Sequence, residues 1–154
     1  VDSPEDILSL FHLKRDLNEL YFKGFFQIYD FPEGLNPTHM LTLIHLDHAG
    51  PSPMTQISHL MQLEKGSFTP VAGKLVEMGF IRKDKNREDK RISELHLTES
   101  GLKLVTDFKE EHKGFILERI SLLPEKEQRE YFSLMNRLNE LDSIIIGELS
   151  RPDN

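Results

Sequence analysis

Three groups of residues in this chain have types and spacings capable of chemistry. The first is the run Lys85-Asn86-Arg87-Glu88-Asp89-Lys90-Arg91. Its closely spaced cations suit phosphate contacts, and an arginine among them could enter a narrow groove of negative potential. The second is Ser67, Thr69, Pro70 and Lys74, spaced to give one helix face hydroxyls, apolar atoms and one ammonium group, with Lys65 in the turn just before them, the mixture that contacts base edges. The third is the histidines. His45 and His48 stand three apart in His45-Leu46-Asp47-His48, and His39 and His112 could approach them from neighbouring elements. Imidazoles suit zinc, but the chain holds no Cys and no full ligand set can be assembled, so no metal and no other cofactor is expected. Nor is an enzyme expected. There is no G-x-S-x-G, H-E-x-x-H, P-loop or glycine-rich dinucleotide turn, and Glu110-Glu111 sit side by side on a helix and point apart.

The charge balance sharpens the first two groups. The 154 residues carry a net charge of −7, which as a whole speaks against phosphate binding. Divided along the chain, residues 1–64 are net −6, residues 65–91 net +4 and residues 92–154 net −5. A basic island therefore lies within an acidic protein, and it coincides with the two cationic groups. Without Cys there is no disulfide framework or thiol switch. No apolar run approaches a membrane span and no signal peptide is evident, so a soluble cytoplasmic protein is expected. The start at Val1 rather than Met predicts that a few residues are missing.

The elements that must position these groups read mainly as helices. Ser3-Pro4-Glu5-Asp6 predicts a capped helix start, and Ile7, Leu10, Phe11, Leu13, Leu17, Leu20 and Tyr21 follow at helical spacing. The pattern weakens at Gly24 and stops by Asp30-Phe31-Pro32-Glu33-Gly34. A second helix runs from Asn36-Pro37 to Gly50-Pro51, and a short third from about Thr55 to Met61. After the turn Gln62 to Lys65, a fourth spans about Gly66 to Met78, with Phe68, Val71, Ala72, Leu75 and Val76 as its apolar stripe. Pro70 is then expected in its first turn, where a missing N–H matters least. Phe80–Asp84 and Ile92–Leu97 read as strands around the basic run. Thr98 caps a helix over about 99–121, and Pro124 opens a last one. On that helix Tyr131, Leu134, Leu138, Leu141 and Ile145 form a coiled-coil-like seam. Short helix, tight turn, longer helix and basic hairpin is the winged helix-turn-helix pattern. The expected class is mainly α (α+β).

The wing carries a resemblance. Asp89-Lys90-Arg91, five residues, Leu97-Thr98 and then Gly101 is similar to the signature of the MarR family of bacterial transcriptional regulators. Leu63-Glu64-Lys65-Gly66-Ser67-Phe68-Thr69-Pro70-Val71 resembles the start of the recognition helix in that family's organic-hydroperoxide-sensing branch. The resemblance extends from the first helix to the last. It implies a homodimer whose first and last helices interleave (residues 1–34 and 112–154) around a DNA-binding region at 35–111. It also implies a repressor released by a small aromatic or anionic effector. Arg91 would enter the minor groove, oriented by Asp89, while Lys85, Arg87 and Lys90 hold phosphates. Tyr21, Phe25, Tyr29, His39 and His112 would line the effector pocket. The branch's peroxide switch needs a cysteine on the first helix, and none exists. The alternatives at this point are a zinc-responsive regulator of the same fold and a winged-helix module that binds protein instead of DNA.

Overall fold

The computed structural model describes residues 4–150, with the side chains of residues 4–6 and of Lys65 outside that description; the Ser3 cap therefore lies outside it too. Two compact units divide within one helix, between Lys113 and Gly114. Among the described residues no helix is long and apolar enough to cross a membrane.

The first unit opens with α1 (Pro4–Leu17), a π-helical segment (Asn18–Lys23) and α2 (Gly24–Ile28). The helix passes through Gly24 instead of weakening there. The wider π turn shifts the register, and Tyr21 and Phe25 become buried together. α3 (Pro37–Ala49) starts where Asn36-Pro37 predicts. The Asn36 side chain accepts from the backbone N–H groups of Thr38 and His39 at 3.0 and 3.2 Å, and the Asn36 N–H donates to His39 Nδ1 at 3.2 Å. This reciprocal cap satisfies three donors that the helix itself leaves open.

Ser52–Pro53 form β1, followed directly by α4 (Met54–Leu60) and α5 (Lys65–Glu77). β2 (Ile81–Lys85) and β3 (Ser93–Leu97) form the wing, and the sheet order is β1-β3-β2. β1 was not evident in the sequence because Ser52-Pro53 looks like a loop. An edge position tolerates the proline, whose missing N–H removes no central ladder bond. β2 and β3 pair antiparallel, with Ile81 opposite Leu97 and Lys83 opposite Leu95.

Both helices of the helix-turn-helix end by the same device. Leu63 N–H donates to Ser58 O and Gln62 N–H to His59 O, with Gln62 at φ +53°. Phe80 N–H donates to Leu75 O and Gly79 N–H to Val76 O, with Gly79 at φ +77°. The pairs of crossed bonds are Schellman caps, which require one left-handed residue. Phe68, Leu75, Met40, Leu43, Ile57, Ile81, Leu95, Val105 and Phe108 form the core, each at most 1–2 % exposed. That core fixes α5 against the sheet and sets which of its faces looks outward.

The second unit contains the end of α6 (Glu99–Ile120) and α7 (Glu125–Leu149). Here the Arg119 guanidinium lies 3.2 Å over the Phe115 ring, a cation–π contact. No described residue of α7 is buried, so the seam Leu134, Leu138, Leu141 and Ile145 is open.

Candidate nucleic-acid interface

α5 presents Gly66, Ser67, Thr69, Pro70, Gly73, Val76 and Glu77 outward and buries Phe68, Ala72 and Leu75. Val71 is half-buried. Val76, expected on the apolar stripe, is 40 % exposed. Helix geometry explains this: at 100° per residue Val76 lies well to one side of the axis through Phe68 and Leu75. Because α5 starts at Lys65, Pro70 is its sixth residue and sits in the second turn, not the first. The Gly66 carbonyl thus loses its helical donor, and Gly66 is exposed where another donor can reach it. Lys74 turns out half-buried rather than fully outward. Its ammonium is 3.8 Å from Glu77, and its chain lies against the turn at Gly34. The Lys65 side chain is outside the described residues.

The wing is organised by Asn86, whose role the sequence reading missed. Its side-chain oxygen accepts from the N–H groups of Glu88 and Asp89, both at 2.9 Å, and its amide donates to Glu94. An Asn bonding its own backbone two and three residues on is a common local turn signal. Asp89 Oδ1 accepts from the Arg91 backbone N–H at 2.9 Å. Asp89 therefore orients Arg91 through the main chain, and no Asp89–Arg91 side-chain ion pair forms among the described residues. Lys85, Arg87, Lys90 and Arg91 are all exposed.

Lys83, also absent from the sequence-based set, joins the wing to α5. It lines a groove with Pro53, Met54, Thr55 and Arg91, and also an apolar hollow on α5. The strand period could have found it: Lys83 shares a sheet face with buried Ile81 two residues earlier. Its neighbour Arg82 points to the other face and pairs with Asp84 at 2.8 Å.

The aromatic residues assigned to an effector pocket divide. His112 Nε2 donates to the Tyr21 carbonyl at 2.6 Å, and its ring stacks on Phe25 at 4.5 Å and 15°. Tyr29 packs on Phe25 and Phe108 at 5.4 and 4.8 Å. Burial, then the carboxylates of Glu111, Asp107 and Asp30, raise the Tyr29 hydroxyl above its ordinary pKa, so it stays neutral. His39 stands apart from these rings in the α3 cap. Burial, then Lys74, holds its pKa below the ordinary histidine value. Among the described residues, no three His, Asp or Glu side chains gather as a metal site.

The His39 cap has a pH signature. A histidine whose folded pKa is depressed disfavours the proton, so its contribution is present above its unfolded pKa of about 6.5 and is lost as pH falls through the folded value. His39→Gln keeps a side chain able to cap but cannot titrate. Thermal melts are expected to show wild type losing stability relative to His39→Gln from about pH 6.5 downward, approaching the ~1 kcal/mol of a helix cap. Parallel acid limbs for the two proteins would refute it.

A helix-turn-helix followed by a basic wing, with α5 joined to Arg91 of the wing through Met54 and Lys83, defines a winged-helix DNA-binding protein. The MarR family model matches residues 35–93. The transcriptional regulator MhqR of Bacillus subtilis is 33 % identical over 105 residues, covering 68 % of this chain and 72 % of MhqR. The chain belongs to the MarR family, and it is a DNA-binding transcriptional regulator, not an enzyme. Solved structures share the fold. RV1404 of Mycobacterium tuberculosis has a TM-score of 0.70 at 17 % identity, covering 99 % of both chains. FabT of Streptococcus pneumoniae, solved in complex with DNA, has a TM-score of 0.62 at 18 % identity, covering 92 % of this chain and 99 % of its own.

Proposed function

We propose that the chain acts as a homodimer that binds a pseudo-palindromic operator and represses transcription until a small aromatic or anionic effector releases it. The observation that carries the dimer is the apolar surface left open near both ends. Ile7, Leu10 and Phe11 on α1 are 55–67 % exposed, and Leu134, Ile145 and Leu149 on α7 are 56–81 % exposed. Contiguous apolar patches of this kind mark interfaces, and two-fold symmetry is the commonest way to close one. Residues 1–34 and 112–154 then supply the dimer helices and 35–111 the reading head.

In this assignment Ser67, Thr69 and Pro70 meet base edges, and Lys65 and Lys74 flank them. Lys85, Arg87 and Lys90 hold phosphates, and Arg91 enters the minor groove. The effector acts through its differential affinity for two spacings of the reading heads. What supports an aromatic effector is the cluster of Phe25, Tyr29 and His112 against the π-helical segment, a rare helix form that recurs at functional sites. Tyr21 contributes its carbonyl there, and His39 enters only through the cap of α3.

Sedimentation of the 17.9 kDa chain is expected to give twice that mass. Leu138→Glu with Leu141→Glu should give a monomer with greatly reduced duplex affinity. Wild-type affinity should fall steeply with salt as counterions return to the phosphates. A wild-type monomer at micromolar concentration would overturn the dimer, and salt-independent binding would overturn the phosphate contacts.

A further inference from the structure

We propose that the hollow beside Gly73 reads a thymine through its C5 methyl group, with Lys83 holding a phosphate at the hollow's mouth. The inference rests on DNA binding by α5 and specifies one base contact within it.

Gly73 is the ninth of the thirteen residues of α5, in a helix interior where glycine is the poorest choice after proline. Nothing among the described residues requires it. Its φ is not positive, and a Cβ built there meets no atom within 4 Å. Gly101 is the opposite case, pressed against backbone. At Gly73 the missing methyl leaves space on the outside of the molecule, where a glycine allows close approach of a partner to the main chain.

That space is the hollow lined by Met54, Thr69, Ala72, Gly73, Val76 and Lys83. Its lining is mostly apolar, and of the other outward residues of α5 Ser67 and Glu77 are polar or charged while Gly66 and Pro70 are not. Val76 belongs to it, which gives a use to an exposed branched side chain that the core does not need. Lys83 reaches it from the helix-facing side of β2, and its ammonium has no ion pair or hydrogen bond among the described residues. Lys83 and Met54 also line the groove that carries Arg91, so the hollow continues into the wing surface. In a duplex major groove the apolar feature at the base edges is the thymine methyl, and the bases otherwise present donors and acceptors. A free ammonium beside the hollow matches the adjoining phosphate.

The test uses the full chain and a randomised duplex pool. Duplexes of the selected sequence are then remade with each dT replaced singly by dU, which removes only the methyl. One position in the half-site is expected to lose about fourfold in affinity, the equivalent of one buried methyl. Gly73→Ala fills the hollow and should bind the dT and dU duplexes alike at that position. Its melting temperature should rise by about 2–4 °C, because Ala is the better helix former. Lys83→Ala should weaken all duplexes alike and reduce the salt slope by about 1. Indifference to dU at every position, or a methyl preference surviving in Gly73→Ala, would overturn the inference while leaving DNA binding intact. Failure to retain any duplex would overturn both.

Discussion

Gly101→Ala is expected to destabilise the fold by about 3 kcal/mol, the upper part of the range for overpacking. Two effects oppose each other. Alanine favours a helix over glycine by about 1 kcal/mol, and Gly101 lies in the first turn of α6. Against this, a Cβ at Gly101 would stand 2.0 Å from the Phe80 carbonyl oxygen and 3.0 Å from its carbon. Both are backbone atoms and cannot rotate aside. The carbonyl is also held in place, because it accepts from the Thr98 N–H at 3.1 Å. Thr98 Oγ1 donates to the Gly79 carbonyl at 2.6 Å and accepts from the Gly101 N–H at 3.1 Å. Ser100 Oγ donates to the same Gly79 carbonyl at 2.9 Å. The end of α5 and the start of α6 are clamped through these groups, so steric overlap outweighs helix propensity. A drop of roughly 6–12 °C in melting temperature is expected for a chain of this size. An unchanged or raised melting temperature would show that the clamp can open at little cost.

The second large effect is on DNA. Arg91→Ala is expected to weaken duplex binding by about tenfold, within the usual range for a base-reading arginine, with no change in melting temperature. The two outcomes separate because the wing turn is built without the Arg91 side chain. Asn86 accepts from Glu88 and Asp89, and Asp89 accepts from the Arg91 main chain. Truncating Arg91 at Cβ leaves all three bonds. Asp89→Ala removes one of them and should loosen the wing as well as weaken binding. Titration of a fluorescent duplex at fixed salt, beside a thermal melt, distinguishes the two variants. Equal affinity of Arg91→Ala and wild type would remove the wing from the interface.

The reading of net charge as an argument against nucleic acid fails for a physical reason. Phosphate attraction is local at cellular salt, where screening acts over about 8 Å, so the sign of the +4 island matters more than the average of −7.

Much of the architecture was legible because short-range chemistry dictates it. Asn36-Pro37 starts α3 since the side chain can cap and the ring fits a first turn. Gly79 ends α5 since the Schellman cap needs a left-handed residue. Most of the basic run had to be a turn because polar residues there bury nothing, although its first residue, Lys85, ends β2, and the family resemblance at Leu97-Thr98 and Gly101 marked the junction behind the wing. Features set by contacts between distant residues were not legible. β1 exists only because Ser52 and Pro53 lie beside Leu95 and Glu94, and the π turn was invisible to a search for 3.6-residue periodicity. His39 stands with Asn36 in the α3 cap, while His112 meets the Tyr21 carbonyl and the Phe25 ring, a division that spacing along the chain does not encode. Residue type and spacing by themselves determined the main helices, the two wing strands, their order and the basic island. Tertiary structure alone decided that Val76 stands outside the buried stripe of α5 and Lys74 half within it, that Lys83 joins the α5 surface to the wing, and which glycine is crowded and which is open. A side chain's neighbours across the fold are set by packing, and no local pattern encodes them.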